Sequence, residues 1–585
     1  MKKKTLISTL TLLFLFVLTT TVFAADPDPA KMNADKFGIF TILPPLVAII
    51  LAFITKNVVL SLTLGVLSGT FLIKLSDHNV IYALFYGFLD LINKVRDSLA
   101  DPWNAGIILQ CMSIGGLIAL VSKMGGAKAV AEALAKKAKT PVSAQILTWL
   151  LGICVFFDDY ANSLIVGPIM RPVTDKMKIS REKLSFIVDA TAAPVAGIAL
   201  ISTWIGYEVS LIKDGYAQIG QSVNAYGIFL STIPYRFYNI LILAFIVVTA
   251  LTLREFGPML KAERRARYEG KVLSDTAKPM VSSEATGLEP REGIKLSIWN
   301  AIIPIGVLLI GAFGGFYLDG YNAIMAGEDQ AIKNIVASAP VSFAAIRETF
   351  SASDASIVLF QSGLFAGIVA MIMGISKKIF TLGEAIDTWI DGMKSLIITG
   401  VILLLAWSLS GVIKELGTAK FLVAILSDTL PKFLLPTIIF IMGSIISFAT
   451  GTSYGTMGIL MPLTIPLANG IAPGDAQYII LSTSAVLTGA IFGDHCSPIS
   501  DTTILSSMGS ACDHLDHTTT QMWYSLAVAV ITIVFGYIPA GLGLPIIIVL
   551  PLGLVATILM VYIFGKPIES KEVEKAFKKR AVQEM

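Results

Sequence analysis

Apolar runs long enough to cross a membrane recur from end to end of this chain, separated by short polar segments that collect lysine and arginine. A helix needs about 20 apolar residues to traverse a bilayer core. Runs of that kind fall near 39–55, 58–74, 104–122, 184–205, 228–253, 297–318, 356–376, 395–413, 477–505, 521–541 and 544–564. The pattern predicts an all-α polytopic membrane protein with about 11 transmembrane helices plus two re-entrant hairpins. Tyr82 to Leu99 and Ile379 to Lys394 are amphipathic and are expected to lie along the membrane surface.

The N-terminus predicts which side each loop faces. Lys2, Lys3 and Lys4 precede an apolar run from Leu6 to Val22, and Val22-Phe23-Ala24 offers a small-residue cleavage site. Residues 1–25 therefore read as a signal peptide, with an uncleaved helix as the alternative. A mature N-terminus outside puts the basic loops and the C-terminus in the cytoplasm of a multi-pass inner or plasma membrane protein. The acidic loop from Asp319 to Asp354 then lies outside.

That arrangement holds only if two apolar segments turn back. The first, 142–172, follows Lys123, Lys128, Lys136, Lys137 and Lys139, and leads into Arg171, Lys176, Lys178, Arg181 and Lys183. Both flanks belong in the cytoplasm. From Val142 to Asp158 a helix rises about 24 Å, while Tyr160 to Pro168 is too short to cross. Asp158 and Asp159 are therefore expected deep in the membrane, at a hairpin tip.

Tyr160, Ile165, Pro168, Pro172 and Ala196 recur as Tyr454, Ile459, Pro462, Pro466 and Ala490, each 294 positions later. Gly125-x-Ala127-Lys128 matches Gly417-x-Ala419-Lys420 at nearly the same offset. Matches at a near-constant offset mark an internal repeat. The second hairpin lacks the basic far flank, so it enters from the opposite side and the repeats are inverted. The predicted layout is a signal peptide at 1–25, a first repeat at 39–253 with its hairpin at 142–172, and a flexible cytoplasmic linker at 254–296. A second repeat at 297–508 with its hairpin at 434–466, C-terminal helices at 521–564 and a cytoplasmic tail at 565–585 complete it. Each hairpin is followed by a broken helix, at Asp189–Pro194 and Ser202–Thr203 in the first repeat and at Gly493–Thr503 in the second. Such a design places a transport site where the hairpins meet.

Composition narrows the class. With 55% hydrophobic and 15% charged residues, the chain departs from the roughly 25% charge of soluble domains. A net charge of +3 gives no reason to expect a nucleic-acid partner; the lipid bilayer is the expected surrounding. Four cysteines show no paired spacing, and Cys111 and Cys154 are expected to be buried thiols.

Asp158, Asp159, Asp189, Asp494 and Asp501 are the carboxylates placed in or near the bilayer. Each costs about 2.5–3.5 kcal/mol or more if unpaired there, so such residues mark ion or proton paths. Capping a helix is the alternative role for Asp158 or Asp159; Asp189 caps a helix or sits nearer the interface on the same alternative. Sodium takes several oxygens, and Asn162, Ser163, Thr452, Ser453, Tyr454, Thr456, Ser497, Ser500 and Thr502 supply them beside the acids. Na+ is expected at Asp158, Asp159, Asp494 and Asp501, in competition with H+, because two close acids resist losing both protons. His495, beside Asp494, is expected to tune protonation. No cofactor is expected. A zinc site at His495, Cys496, Cys512, His514 and His517 is disfavoured because His514 and His517 are expected in a solvated cytoplasmic loop. An intramembrane aspartyl protease leaves the repeat unexplained, and a passive channel suits paired hairpins less well than alternating access.

Phe156-Phe157-Asp158-Asp159-Tyr160-Ala161-Asn162-Ser163, Asp189-Ala190-Thr191-Ala192-Ala193-Pro194-Val195-Ala196 and Gly493-Asp494-His495-Cys496-Ser497-Pro498-Ile499-Ser500-Asp501-Thr502-Thr503 resemble the NhaC family of sodium/proton antiporters. The resemblance covers roughly residues 100 to 530. It implies inverted repeats, two re-entrant hairpins, a homodimer and Na+/H+ exchange without enzyme activity. Members of the wider family also move organic acids and amino acids, so a sodium- or proton-coupled exchanger of a small organic solute is the alternative. The long loop from Asp319 and the signal segment are not family features.

Overall fold

The computed structural model describes residues 29–570 apart from 56, 77, 280–293, 395 and 427–429. The expected signal peptide and the tail beyond Ser570 lie outside the described residues. Among those described, ten helices are long and apolar enough to cross a membrane, or eleven if Ala225–Tyr235 and Phe237–Thr252, bent by 46°, form one span. This is an integral membrane protein built from helices. Its large apolar side chains face outward as well as inward: Ile54, Ile310 and Ile547 are all exposed, as suits a surface wetted by lipid rather than water.

The two halves follow one plan. The first runs Leu43–Thr55, Val58–Leu75, Val80–Ala100, Pro102–Lys123 and Gly126–Ala135. A helix–break–helix hairpin follows (Pro141–Cys154, Asp159–Lys176), then an interrupted helix (Arg181–Ala190, Ile205–Gln218) and the bent pair. The second runs Trp299–Ala326, Ala355–Ser376, Leu382–Lys394, Ile397–Leu416 and Thr418–Leu426. Its hairpin is Leu435–Thr450 with Ser453–Ile471, its interrupted helix Ala476–His495 with Asp501–Ser510, and His514–Ile531 follows. Ile546–Phe564 is an additional span. The second arms of the hairpins begin at Asp159 and Ser453, 294 positions apart.

Local chemistry explains where these elements start. Thr140 and Ser143 form a reciprocal cap at the first arm of hairpin one, with Pro141 in the first turn, where its missing N–H costs nothing. Pro168, Pro172, Pro462 and Pro466 sit inside the second arms, where each removes a backbone hydrogen bond that buried neighbours must tolerate. Helices form over both expected amphipathic segments, as Val80–Ala100 and Leu382–Lys394. They bury strips of small residues, Ala83 and Gly87 or Ala385 and Gly392, and expose Ile81, Leu84 and Leu382.

Four expectations are corrected. The segment 319–354 is not a loop: Trp299–Ala326 runs through Asp319, and Gln330–Ser338 and Phe343–Ala352 follow, capped by Asp329 and Ser342. Asp319 instead accepts the Asp354 N–H at 2.7 Å, at the head of the next span. The start of the linker is folded, since Arg254–Glu255 pairs antiparallel with Lys566–Pro567 and Arg267 bonds Glu569 at 2.9 Å. Cys154 is exposed at the hairpin break rather than buried. His514 opens a helix capped by Asp513, and His517 is fully buried although Leu515 between them is exposed, so the segment is a helix start rather than a solvated loop.

Candidate functional site

The first hairpin turns at Asp158, which caps the second arm: the Ala161 N–H donates to Asp158 Oδ1 at 2.7 Å. Its other oxygen accepts the Thr203 hydroxyl at 3.2 Å, while the Thr203 N–H donates to the Phe157 carbonyl at 3.0 Å. The break in the following helix thus clasps the hairpin tip. One residue on, Asp159 occupies the first helical turn, buried beside the Trp204 indole. Asn162 ties the first arm of the hairpin to the break of the following helix, its amide donating to the Gly152 and Thr191 carbonyls, both at 2.8 Å. Its Oδ1 has no partner.

The second hairpin turns at Gly451, whose φ of +67° is the left-handed conformation that glycine tolerates. Thr452 precedes the second arm but its side chain makes no cap. Asp494, from the interrupted helix, supplies the acceptor instead: Ser453 donates to Asp494 Oδ2 through its N–H at 3.3 Å and its hydroxyl at 2.7 Å. Asp494 Oδ1 is buried and makes no hydrogen bond within 3.5 Å, although the Ser500 hydroxyl lies nearby. A carboxylate at a helix N-terminus is electrostatically favoured, yet this one retains an unused acceptor.

Between the tips lies a cavity of about 770 Å³. Asp158, Asp159, Thr452, Ser453, Tyr454, Asp494, Asp501 and Thr502 line it. Tyr160 Oη donates to Asp501 Oδ2 at 3.4 Å, joining the first hairpin to the second interrupted helix. Asn57, Thr203, Trp204 and Thr399 also line the cavity and were missed as site residues. Trp204 and Thr203 adjoin the break read from sequence, which was the available signal; nothing in the pattern singled out Asn57 or Thr399.

Other candidates stand behind this wall. Ser163 Oγ meets Ser506 Oγ at 3.0 Å, Thr456 donates to the Thr452 carbonyl at 3.0 Å, Ser497 to the Phe448 carbonyl at 2.7 Å, and Ser500 meets Thr502 at 3.0 Å. Asp189 lies elsewhere, accepting from Gln521 Nε2 at 2.6 Å and Ser506 at 3.4 Å. His495 points its Nδ1 to Tyr238 Oη at 2.7 Å. Among the described residues, no three His, Cys, Asp or Glu side chains converge as a metal cage. Two buried ion pairs also escaped sequence reasoning: Glu208–Arg236 at 2.6 Å and Lys183–Glu255 at 2.9 Å.

Residues 195–542 match the model of the Na+/H+ antiporter family. The chain belongs to that family. Its members are transporters rather than enzymes, in keeping with the resemblance drawn from the three motifs. This antiporter-family chain is 33% identical over 507 residues to an uncharacterized protein of Haemophilus influenzae, covering 86% of this chain and 91% of that one. It is 32% identical over 178 residues to the malate-2H(+)/Na(+)-lactate antiporter of Bacillus subtilis, a match spanning 30% of this chain and 36% of the relative. The fold is also that of the Alcanivorax borkumensis YdaH transporter, with a TM-score of 0.54 at 14% identity over 89% of this chain and 100% of that one.

Proposed function

We propose that this chain exchanges Na+ for H+ by alternating access, the two ions competing for Asp159 and Asp494 between the hairpin tips. The observation that carries this reading is the buried Oδ1 of Asp494, without a hydrogen bond, in a cavity shared with Asp158 and Asp159. A buried acceptor without a hydrogen bond is costly, and either a proton or a hard cation relieves that cost. Sodium would complete its oxygen shell from nearby hydroxyl and carbonyl groups at the breaks, such as those of Thr452 and Thr502. Because one site serves both ions, binding one displaces the other, and rocking of the two halves would carry each across. In this reading the N-terminus faces outside and the basic loops face the cytoplasm.

The test uses everted membrane vesicles from a host lacking its own sodium/proton exchangers. Energised vesicles acidify their lumen, and added Na+ or Li+ should release the trapped protons, seen with a pH dye. Asp159→Asn should abolish that response. Correctly inserted protein that answers no cation across the alkaline range removes the reading. Coupled exchange of a small organic solute is the second reading, supported by the size of the cavity.

A further inference from the structure

The cavity is larger than sodium and protons require. At about 770 Å³ it falls within the range of small-molecule sites, about 300–1,000 Å³, whereas one water takes about 30 Å³. Its wall is divided by chemistry. Asp158, Asp159 and Asp494 form a buried acidic face, and Asp501 stands exposed beside them. Leu60, Ile398 and Ile402 offer hydrocarbon.

Trp204 and Tyr454 are also lining residues, their ring centroids 4.9 Å apart and tilted by 57°, Trp204 being only 3% exposed and Tyr454 half-buried. Tyr207 stacks on Tyr454 at 4.4 Å and donates to its carbonyl, which fixes that ring in place. Aromatic faces beside carboxylates attract a cation that also carries carbon, because the ring quadrupole and the fixed charge act together. An anion meets the opposite. The described lining residues include no Lys, Arg or His, and the Ser453 N–H at the second tip is already given to Asp494.

We propose that the cavity binds a small organic ammonium ion lacking a carboxylate, its head between Asp159 and Asp494 and its carbon body on the apolar wall. The inference rests on reading the cavity as the transport site, and not on sodium being its cargo. The head competes with Na+ for the same oxygens, and Trp204 and Tyr454 distinguish it from an inorganic ion.

The test measures binding to the purified full chain in detergent by thermal stability. The probes are tetramethylammonium, choline and 1,4-diaminobutane, with potassium chloride and sodium butyrate as salt-matched controls. Ammonium probes should raise the melting temperature beyond the potassium control and displace radioactive sodium from proteoliposomes. Trp204→Leu should weaken ammonium binding about tenfold, and Trp204→Phe, which keeps an aromatic face, should restore most of it. If sodium stabilises the protein and no ammonium probe exceeds potassium, the proposal fails and the antiport reading stands. If butyrate stabilises it beyond sodium chloride, the site takes anions and the proposal also fails. Ammonium binding without any sodium-driven proton movement would keep the proposal and remove the antiport reading.

Discussion

Ser453 Oγ donates to Asp494 Oδ2 at 2.7 Å, and the other oxygen of the same carboxylate is buried without a hydrogen bond. One oxygen thus fixes the second hairpin tip, while its twin makes no hydrogen bond within 3.5 Å and has the Ser500 hydroxyl as a nearby donor. The two roles separate by mutation. Asp494→Asn keeps an acceptor for Ser453 and removes the charge. A hydrogen bond or contact to a charged group contributes about 1.5–3 kcal/mol, so apparent sodium affinity should fall about 10–100-fold with the melting temperature nearly unchanged. Ser453→Ala loosens the tip instead and should lower both. Sodium-dependent dequenching in vesicles and thermal unfolding of purified protein measure the pair; an Asp494→Asn protein with unaltered sodium affinity contradicts the assignment.

Gly451 is required at the second tip for two reasons. Its φ is +67°, and a Cβ there would come within 2.6 Å of the Ile499 carbonyl in the neighbouring break. Left-handed backbone costs a substituted residue about 1–2 kcal/mol, and the contact adds to it. Gly451→Ala should therefore reduce transport and shift the melting temperature downward, whereas Gly220→Ala, also at positive φ but with open space around its Cβ, should lower only the melting temperature. Equal transport losses in both variants would mean that packing between the two breaks is unimportant.

Much of this architecture is legible because a bilayer simplifies the code. Hydropathy marks spans, charge marks loops, and the 294-residue offset marks equivalent hairpin arms, with Asp159 and Ser453 both starting helices. Side-chain direction is not encoded that way. His495 follows Asp494 in sequence, yet one residue of helix turns it about 100°, onto Tyr238 and away from the cavity. Asp189 shares a motif with the break but is held by Gln521, a residue more than three hundred positions away. Asn57, the cap before Val58–Leu75, and Thr399, within Ile397–Leu416, reach the cavity from outside the hairpins, and ordinary polar residues beside apolar stretches carry no signal of where they point.

Glu208 and Arg236 form a fully buried ion pair, with Arg236 also donating to the Gly197 carbonyl in the first interrupted helix. Removing one member of such a pair strands the other, at a cost of about 3–5 kcal/mol. Arg236→Met alone should sharply lower the yield of folded protein and its melting temperature. Glu208→Met with Arg236→Met should recover a substantial part, because no buried charge is then left unmatched. Melting temperatures of the single and double variants decide this; a double variant no better than the single one would show that the Gly197 contact, not the ion pair, matters.

Glu263 lies beyond the membrane span that ends at Thr252 and is wholly buried. The Ser180 N–H and hydroxyl both donate to its Oε1 at 2.8 Å, while Oε2 has no partner. Burial, reinforced by the neighbouring Glu255 carboxylate, pushes its pKa from 4.5 up to about 7. A carboxyl raised in the folded state favours folding while protonated. Its contribution is complete below about pH 4.5 and is lost as pH rises through about 7. The loss is on the order of 3 kcal/mol. Glu263→Gln, which resembles the protonated acid, should therefore leave the melting temperature unchanged near pH 4.5 and raise it once pH exceeds about 7. Thermal unfolding of both proteins across that window provides the measurement. An equal change at both ends would assign the effect to lost packing rather than to titration of this carboxyl.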